Sequence, residues 1–136
     1  MPREERKAHH RVLIIDDEES TRLLLARYLS KDLKIEAQLA GTCEQALRYA
    51  GDYAYDVILL DLLMPGIGGL EVLKEIRNAS PNAATPVVMI SVVSDQETIE
   101  RCLAAGASAY HVKPVRRAEI VATVQQQLAS RRKSAR

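Results

Sequence analysis

Apolar runs that stop abruptly at polar residues set the pattern of this chain. Val12-Leu13-Ile14-Ile15 runs into Asp16-Asp17, Val57-Ile58-Leu59-Leu60 into Asp61, and Val87-Val88-Met89-Ile90 into Ser91. A further run, from Ser108 to Val112, leads into Lys113-Pro114. Short β-branched runs bounded by turn residues predict strands. Ile35 to Ala40 predicts another strand, less apolar than the rest and so placed at a sheet edge.

Helical spacing fills the intervals. Ser20 is the expected cap of a helix reaching about Lys31, with Leu23, Leu24, Ala26, Arg27 and Leu29 forming a broad face. Thr42, with Gln45 three residues on, is a capping-box start for a helix to about Ala50 packed through Ala46, Leu47 and Ala50. Leu70, Val72, Leu73 and Ile76 predict a helix to Arg77, and the two prolines between Asn78 and Pro86 predict a loop. Asp95 caps the next helix, whose inner residues are Ile99, Leu103 and Ala104, with Gly106 at its carboxyl end. A final helix is expected over Arg117–Ser130, packed through Ile120, Val121, Val124 and Leu128. Alternating strands and helices predict an α/β fold with a parallel sheet covered on both faces.

At 136 residues, with 47% hydrophobic and 27% charged residues, the chain reads as one globular domain. It carries neither an apolar stretch of transmembrane length nor an apolar leader, which predicts a cytoplasmic protein without a membrane partner. Residues 1–11 hold a net +2 and residues 131–136 a net +4, so the segment between holds −5 of a total of +1. With aromatics at 4% and neither Phe nor Trp, no stacking platform accompanies those basic ends, and direct nucleic-acid binding is not expected. Cys43 and Cys102 lie on separate helices outside any CxxC pair and read as reduced structural thiols. The expected organisation is a polar leader over 1–10, the domain over 11–130, and a basic tail or linker start over 131–136.

The chemistry gathers at the strand ends. In an open parallel sheet, sites form outside the carboxyl ends of the strands, where strand order switches. Asp16, Asp17 and Asp61, the Ser91 hydroxyl and the Lys113 ammonium all fall there. Singly, each has an ordinary structural role in a turn, a cap or a solvated surface. Together they suit a divalent cation and a phosphoryl group.

The same residues carry a resemblance. Asp16-Asp17, Asp61 in Asp-x-x-Met-Pro-Gly, Ser91, Lys113-Pro114 and the run Ala104-Ala105-Gly106-Ala107-Ser108-Ala109-Tyr110 resemble the response-regulator receiver domain over about residues 11 to 130. The resemblance implies a flavodoxin-like doubly wound sheet of order 2-1-3-4-5 with five helices. It implies that Asp61 is a phosphoacceptor, that Asp16, Asp17, Asp61 and the Leu63 backbone carbonyl hold Mg²⁺, and that Lys113 and Ser91 contact the phosphoryl oxygens. Ser91 and Tyr110 would form the switch. The donor would be a sensor histidine kinase or a phosphotransfer protein, and the target a downstream protein or an output domain. The protein would catalyse only its own phosphorylation and dephosphorylation, and a homodimer of the phosphorylated form is a further expectation.

Two other readings stand beside it. One is a binding module of the same fold that works without phosphorylation; the other is an aspartyl-phosphate phosphatase, which typically has Asp-x-Asp where Leu63 follows Asp61 by two. Neither a G-x-x-x-x-G-K-[ST] loop nor G-x-G-x-x-G is present, which disfavours nucleotide enzymes. His9, His10 and His111 are poor phosphoacceptor candidates, with His111 expected to face away from Tyr110. Val92 replaces the small residue usual after the Ser or Thr, and Leu63 and Val93 are apolar where receivers tune hydrolysis. These departures predict slow phosphorylation and a long-lived phosphoryl group.

Overall fold

The apolar runs become the central strands of a five-stranded parallel sheet in a computed structural model, which describes residues 9–78 and 80–134. The elements are β1 (His10–Ile15), α1 (Glu19–Asp32), β2 (Ile35–Ala40), α2 (Cys43–Asp52) and β3 (Val57–Asp61). They continue with α3 (Gly69–Arg77), β4 (Val87–Ser91), α4 (Gln96–Ala104), β5 (Ala109–Val112) and α5 (Arg117–Ser134). Strand order is β2-β1-β3-β4-β5, the flavodoxin-like arrangement. β3 and β4 are buried along their whole length because helices cover both faces. β2, with Glu36 and Ala37 exposed, is an edge strand as its composition requires.

Alternation along the strands divides the core in two. Leu13, Ile15, Ile58, Leu60, Val87 and Met89 pack with α2 and α3 on one face. Val12, Ile14, Val57, Leu59, Val88 and Ile90 pack with α1 and α5 on the other. Each fully buried Leu or Ile side chain contributes about 1.5–3 kcal/mol, so the two layers hold the sheet in a fixed register.

Several local expectations change. Ser20 does not cap α1: Asp16 Oδ1 accepts the Glu18 amide at 2.9 Å, and the helix starts at Glu19 with Glu18 at its cap position. Leu25 and Leu29 are the buried residues of α1, while Leu23 and Leu24 are exposed. On α4 the buried residue is Cys102, with Leu103 exposed, because the helix turns its 102 position toward the sheet. Thr42 and Asp95 do cap their helices, accepting the amides of Gln45 at 3.1 Å and Thr98 at 3.0 Å. Gly106 follows α4 with φ +110°, a conformation side chains resist. Both cysteines are free and buried.

The expected leader lies mostly outside the described residues, although His10 already belongs to β1. α5 extends to Ser134, so helix occupies part of the expected tail. Among the described residues, no helix is long and apolar enough to cross a membrane.

Candidate phosphoryl and cation site

β1 sits between β2 and β3, so the chain moves outward in one direction after β1 and in the other from β3 onward. The crevice at this switch point receives the ends of both strands. Oxygen atoms of Asp16, Asp17 and Asp61 come within 4.8 Å of one another there. Asp16 is 1% exposed and Asp61 5%, whereas Asp17 opens to solvent.

The two buried carboxylates share one cation. Lys113 Nζ donates to Asp16 Oδ2 at 2.9 Å and lies 3.7 Å from Asp61 Oδ2. It arrives at the end of β5, and the Ser91 carbonyl accepts the Lys113 amide at 2.8 Å. Burial alone would lower the Lys113 pKa, but the Asp16 hydrogen bond and the charges of Asp61 and Asp16 raise it instead. Asp61 is pushed up to about 6, chiefly by burial and then by the charge of Asp16; Lys113 and the Leu63 amide only partly offset this. A carboxylate so short of positive charge is a ready ligand for a cation.

The loop after β3 is held from below. The Leu63 amide donates to Asp61 Oδ1 at 3.3 Å, and Gly69 donates to the Leu62 carbonyl at 2.8 Å. A Cβ on Gly69 would collide with the Asp61 carbonyl and the Leu62 backbone. Glycine therefore lets the first turn of α3 press directly beneath the phosphoacceptor candidate.

Ser91 is fully buried at the end of β4, and its Oγ accepts the Val93 amide at 3.1 Å. The Tyr110 hydroxyl donates to the Val93 carbonyl at 2.6 Å. Tyr110 packs against the α2–α3 side of the core, while His111 points to the other face and bonds Thr123 of α5 at 2.7 Å. Leu63 and Val92 are exposed, and Val92 borders a groove of about 450 Å³ with Leu24, Tyr28, Lys113 and Pro114.

Three carboxylates supply hard oxygen donors, and such donors suit a small divalent cation that keeps several waters. The predicted Asp16, Asp17, Asp61 and Lys113 thus converge, with Ser91 ending the neighbouring strand. Sequence reasoning missed Gly69 as a contact residue and Arg22, whose guanidinium reaches the Asp16 carbonyl.

Comparison with known proteins agrees with this geometry. The sequence profile of the response regulator receiver domain matches residues 12–125, and the chain belongs to that family of two-component signalling domains. It is 38% identical over 116 residues to the sensory/regulatory protein RpfC of Xanthomonas campestris, covering 84% of this chain but 16% of RpfC. To the transcriptional regulatory protein MalR of Bacillus subtilis it is 38% identical over 104 residues, 76% of this chain and 43% of MalR. The chain thus spans less than half the length of these two curated relatives. Chemotaxis protein CheY4 of Vibrio cholerae superposes with a TM-score of 0.82 at 30% identity, over 89% of this chain and 100% of its own. The receiver domain of a sensor histidine kinase from Pseudomonas aeruginosa superposes with a TM-score of 0.81 at 28% identity, over 90% and 99% of the two chains. That crystal structure has a magnesium ion coordinated in its active site cleft.

Proposed function

We propose that this domain accepts a phosphoryl group on Asp61 from a phosphohistidine of a sensor histidine kinase or phosphotransfer protein, with Mg²⁺ held by Asp16, Asp17, Asp61 and the Leu63 backbone carbonyl. The observation that carries this reading is the sharing of Lys113 between Asp16 and Asp61 beside the three-carboxylate cluster. Bound Mg²⁺ would supply charge neutralisation between the entering phosphoryl oxygens and the carboxylates.

A carboxylate oxygen of Asp61 attacks phosphorus and forms an acyl phosphate, while the phosphorus–nitrogen bond of the donor breaks. The imidazole leaves with the bonding pair and carries the ring proton that keeps it neutral. Lys113 pairs with one phosphoryl oxygen as a compact charge, and Ser91 donates its hydroxyl to another. Positioning and charge stabilisation provide most of the rate. The chemistry is confined to the domain's own phosphorylation and dephosphorylation, so the domain acts as a signalling element of the cytoplasm without a turnover substrate.

Movement of Ser91 toward the phosphoryl group would free the Val93 amide, and Tyr110 would feel this through the same peptide segment. The two-state element is then the α4–β5–α5 surface, which would bind a downstream protein, an output domain or a second copy of the domain. Intact mass after incubation with Mg²⁺ and acetyl phosphate tests the reading. A Mg²⁺-dependent phosphoryl gain that disappears in Asp61→Ala is expected. No gain, even with a histidine-kinase donor, would point to a binding module that works without phosphorylation.

A further inference from the structure

We propose that Arg22 is a positioning residue that aims Asp17 into the cation site by clamping the peptide between Asp16 and Asp17. The inference rests on the reading of Asp16, Asp17 and Asp61 as the cation ligands.

Every polar group of Asp16 is held. Its amide donates to the Ala40 carbonyl at 3.1 Å, and its carboxylate oxygens accept from the Glu18 amide and Lys113, each at 2.9 Å. Its carbonyl accepts from Arg22 Nη1 at 2.6 Å. That carbonyl belongs to the peptide that leads into Asp17, so fixing it fixes the direction in which Asp17 leaves. Asp17 is exposed, and its aim follows from the backbone that carries it.

The need for a side-chain donor comes from the end of the sheet. The β1–β2 ladder closes with the Asp16 amide on Ala40 at 3.1 Å, and the donor that the parallel register would bring to the Asp16 carbonyl next, the Thr42 amide, does not bond it. Thr42 is already the cap of α2, its hydroxyl accepting the Gln45 amide, so the chain leaves the sheet before it can continue the ladder. The guanidinium of Arg22, reaching back from α1, takes the place of a ladder donor. A buried carbonyl accepting a charged donor is held about twice as strongly as by a neutral one.

Gly41 makes the room. A Cβ there would lie 2.8 Å from Arg22 Nη1 and 3.2 Å from Cζ. The clash falls on the mobile end of a long side chain, so Gly41→Ala should displace the guanidinium while the fold survives. It offers a second route to the same loss, without removing the charge.

Charge and positioning predict opposite signs. If Arg22 acted only through its charge, Arg22→Ala would remove a repulsive cation and tighten Mg²⁺ binding. If it positions Asp17, the same change weakens binding, and groups that orient metal ligands typically account for about 10–100-fold in affinity. Mg²⁺ affinity of the intact chain by calorimetry, with amide NMR shifts of Asp17 and Glu18 and melting temperatures alongside, separates the cases.

Arg22→Ala and Gly41→Ala should each weaken Mg²⁺ about tenfold, and the double variant should be no worse than either, because both remove one clamp. Arg22→Lys should recover part of the affinity by restoring one donor. Unchanged or tighter Mg²⁺ binding in Arg22→Ala, with the variant still folded, overturns the proposal while leaving the site reading intact. No Mg²⁺ binding by the wild type overturns both.

Discussion

The Tyr110 hydroxyl donates to the main-chain carbonyl of Val93 at 2.6 Å, tying β5 to the loop that follows β4. The amide of that same Val93 donates to Ser91 Oγ, so the serine hydroxyl and the tyrosine grip one residue from its two sides. Tyr110→Phe removes one grip and leaves the ring in place. Acyl phosphate should still form on Asp61 at a rate within about twofold of wild type, while the stability cost should be about 1 kcal/mol, the typical worth of one hydrogen bond. Amide exchange at Val93 and Ser94 should quicken. An exchange pattern matching wild type at both residues would sink the coupling.

Lys113 competes with any added cation, because it already serves Asp16 at 2.9 Å and Asp61 at 3.7 Å. Lys113→Met should therefore tighten Mg²⁺ binding severalfold while nearly abolishing the response to acetyl phosphate. Without Mg²⁺ the variant should lose about 3 kcal/mol, since the buried Asp16 charge loses its partner. Calorimetric Mg²⁺ titration and urea unfolding in chelator measure the two effects. Weaker Mg²⁺ binding in the variant would show that Lys113 organises the carboxylates more than it competes for them.

Asp61 ties the site to pH. Its carboxyl is raised from 3.8 to about 6, mainly by burial and then by Asp16, so the folded state binds its proton more tightly than the unfolded chain does. Its contribution to stability is thus fully present below about pH 4 and is lost as pH rises through about 6. At neutral pH the metal-free ionised Asp61 should cost about 1–3 kcal/mol relative to Asp61→Asn. Subtracting the stability of Asp61→Asn from that of wild type across pH 4 to 7.5 isolates this group from the other carboxylates. The difference should turn against wild type with rising pH and shrink when Mg²⁺ is added; a flat difference would contradict the burial argument.

Gly69 is a packing requirement beneath the chemistry. Its amide holds the Leu62 carbonyl, and any Cβ would meet the Asp61 and Leu62 backbone. Gly69→Ala should cost about 1–3 kcal/mol as an overpacked site, and the surviving folded protein should phosphorylate at least tenfold more slowly because Asp61 is displaced. Thermal unfolding and intact-mass kinetics read the two losses. Wild-type values for both would mean that α3 can slide away without moving Asp61.

What the chain disclosed in advance follows from how local each signal is. Asp16, Asp61, Ser91 and Lys113 were legible because each terminates an apolar run, and a run that changes from buried to polar marks a strand end. The Thr42 and Asp95 caps were legible because a cap and its amide lie three residues apart. Ser20 misled because Asp16, four residues earlier, captures the Glu18 amide and starts the helix sooner. Arg22 stayed hidden because its partner is a main-chain carbonyl, which leaves no side-chain pairing to find. Gly69 looked like one more loop glycine, since the backbone it touches is visible only after α3 docks.

Val92 carries the remaining kinetic expectation. Its side chain is 63% exposed at the rim of the groove that Lys113 and Pro114 also line, so it stands in the approach to the site and outside the core. A β-branched residue there narrows the path for a small donor, whereas a protein donor must pack against it. Val92→Ala should therefore speed phosphorylation by acetyl phosphate severalfold with a stability change within about 0.5 kcal/mol, as expected for an exposed position. The spontaneous loss of the phosphoryl group should stay slow in the variant, because Leu63 and Val93 still offer no polar group to orient water. Intact-mass time courses in both directions check this. An unchanged forward rate would remove the steric argument, and faster loss would assign the long lifetime to Val92 instead.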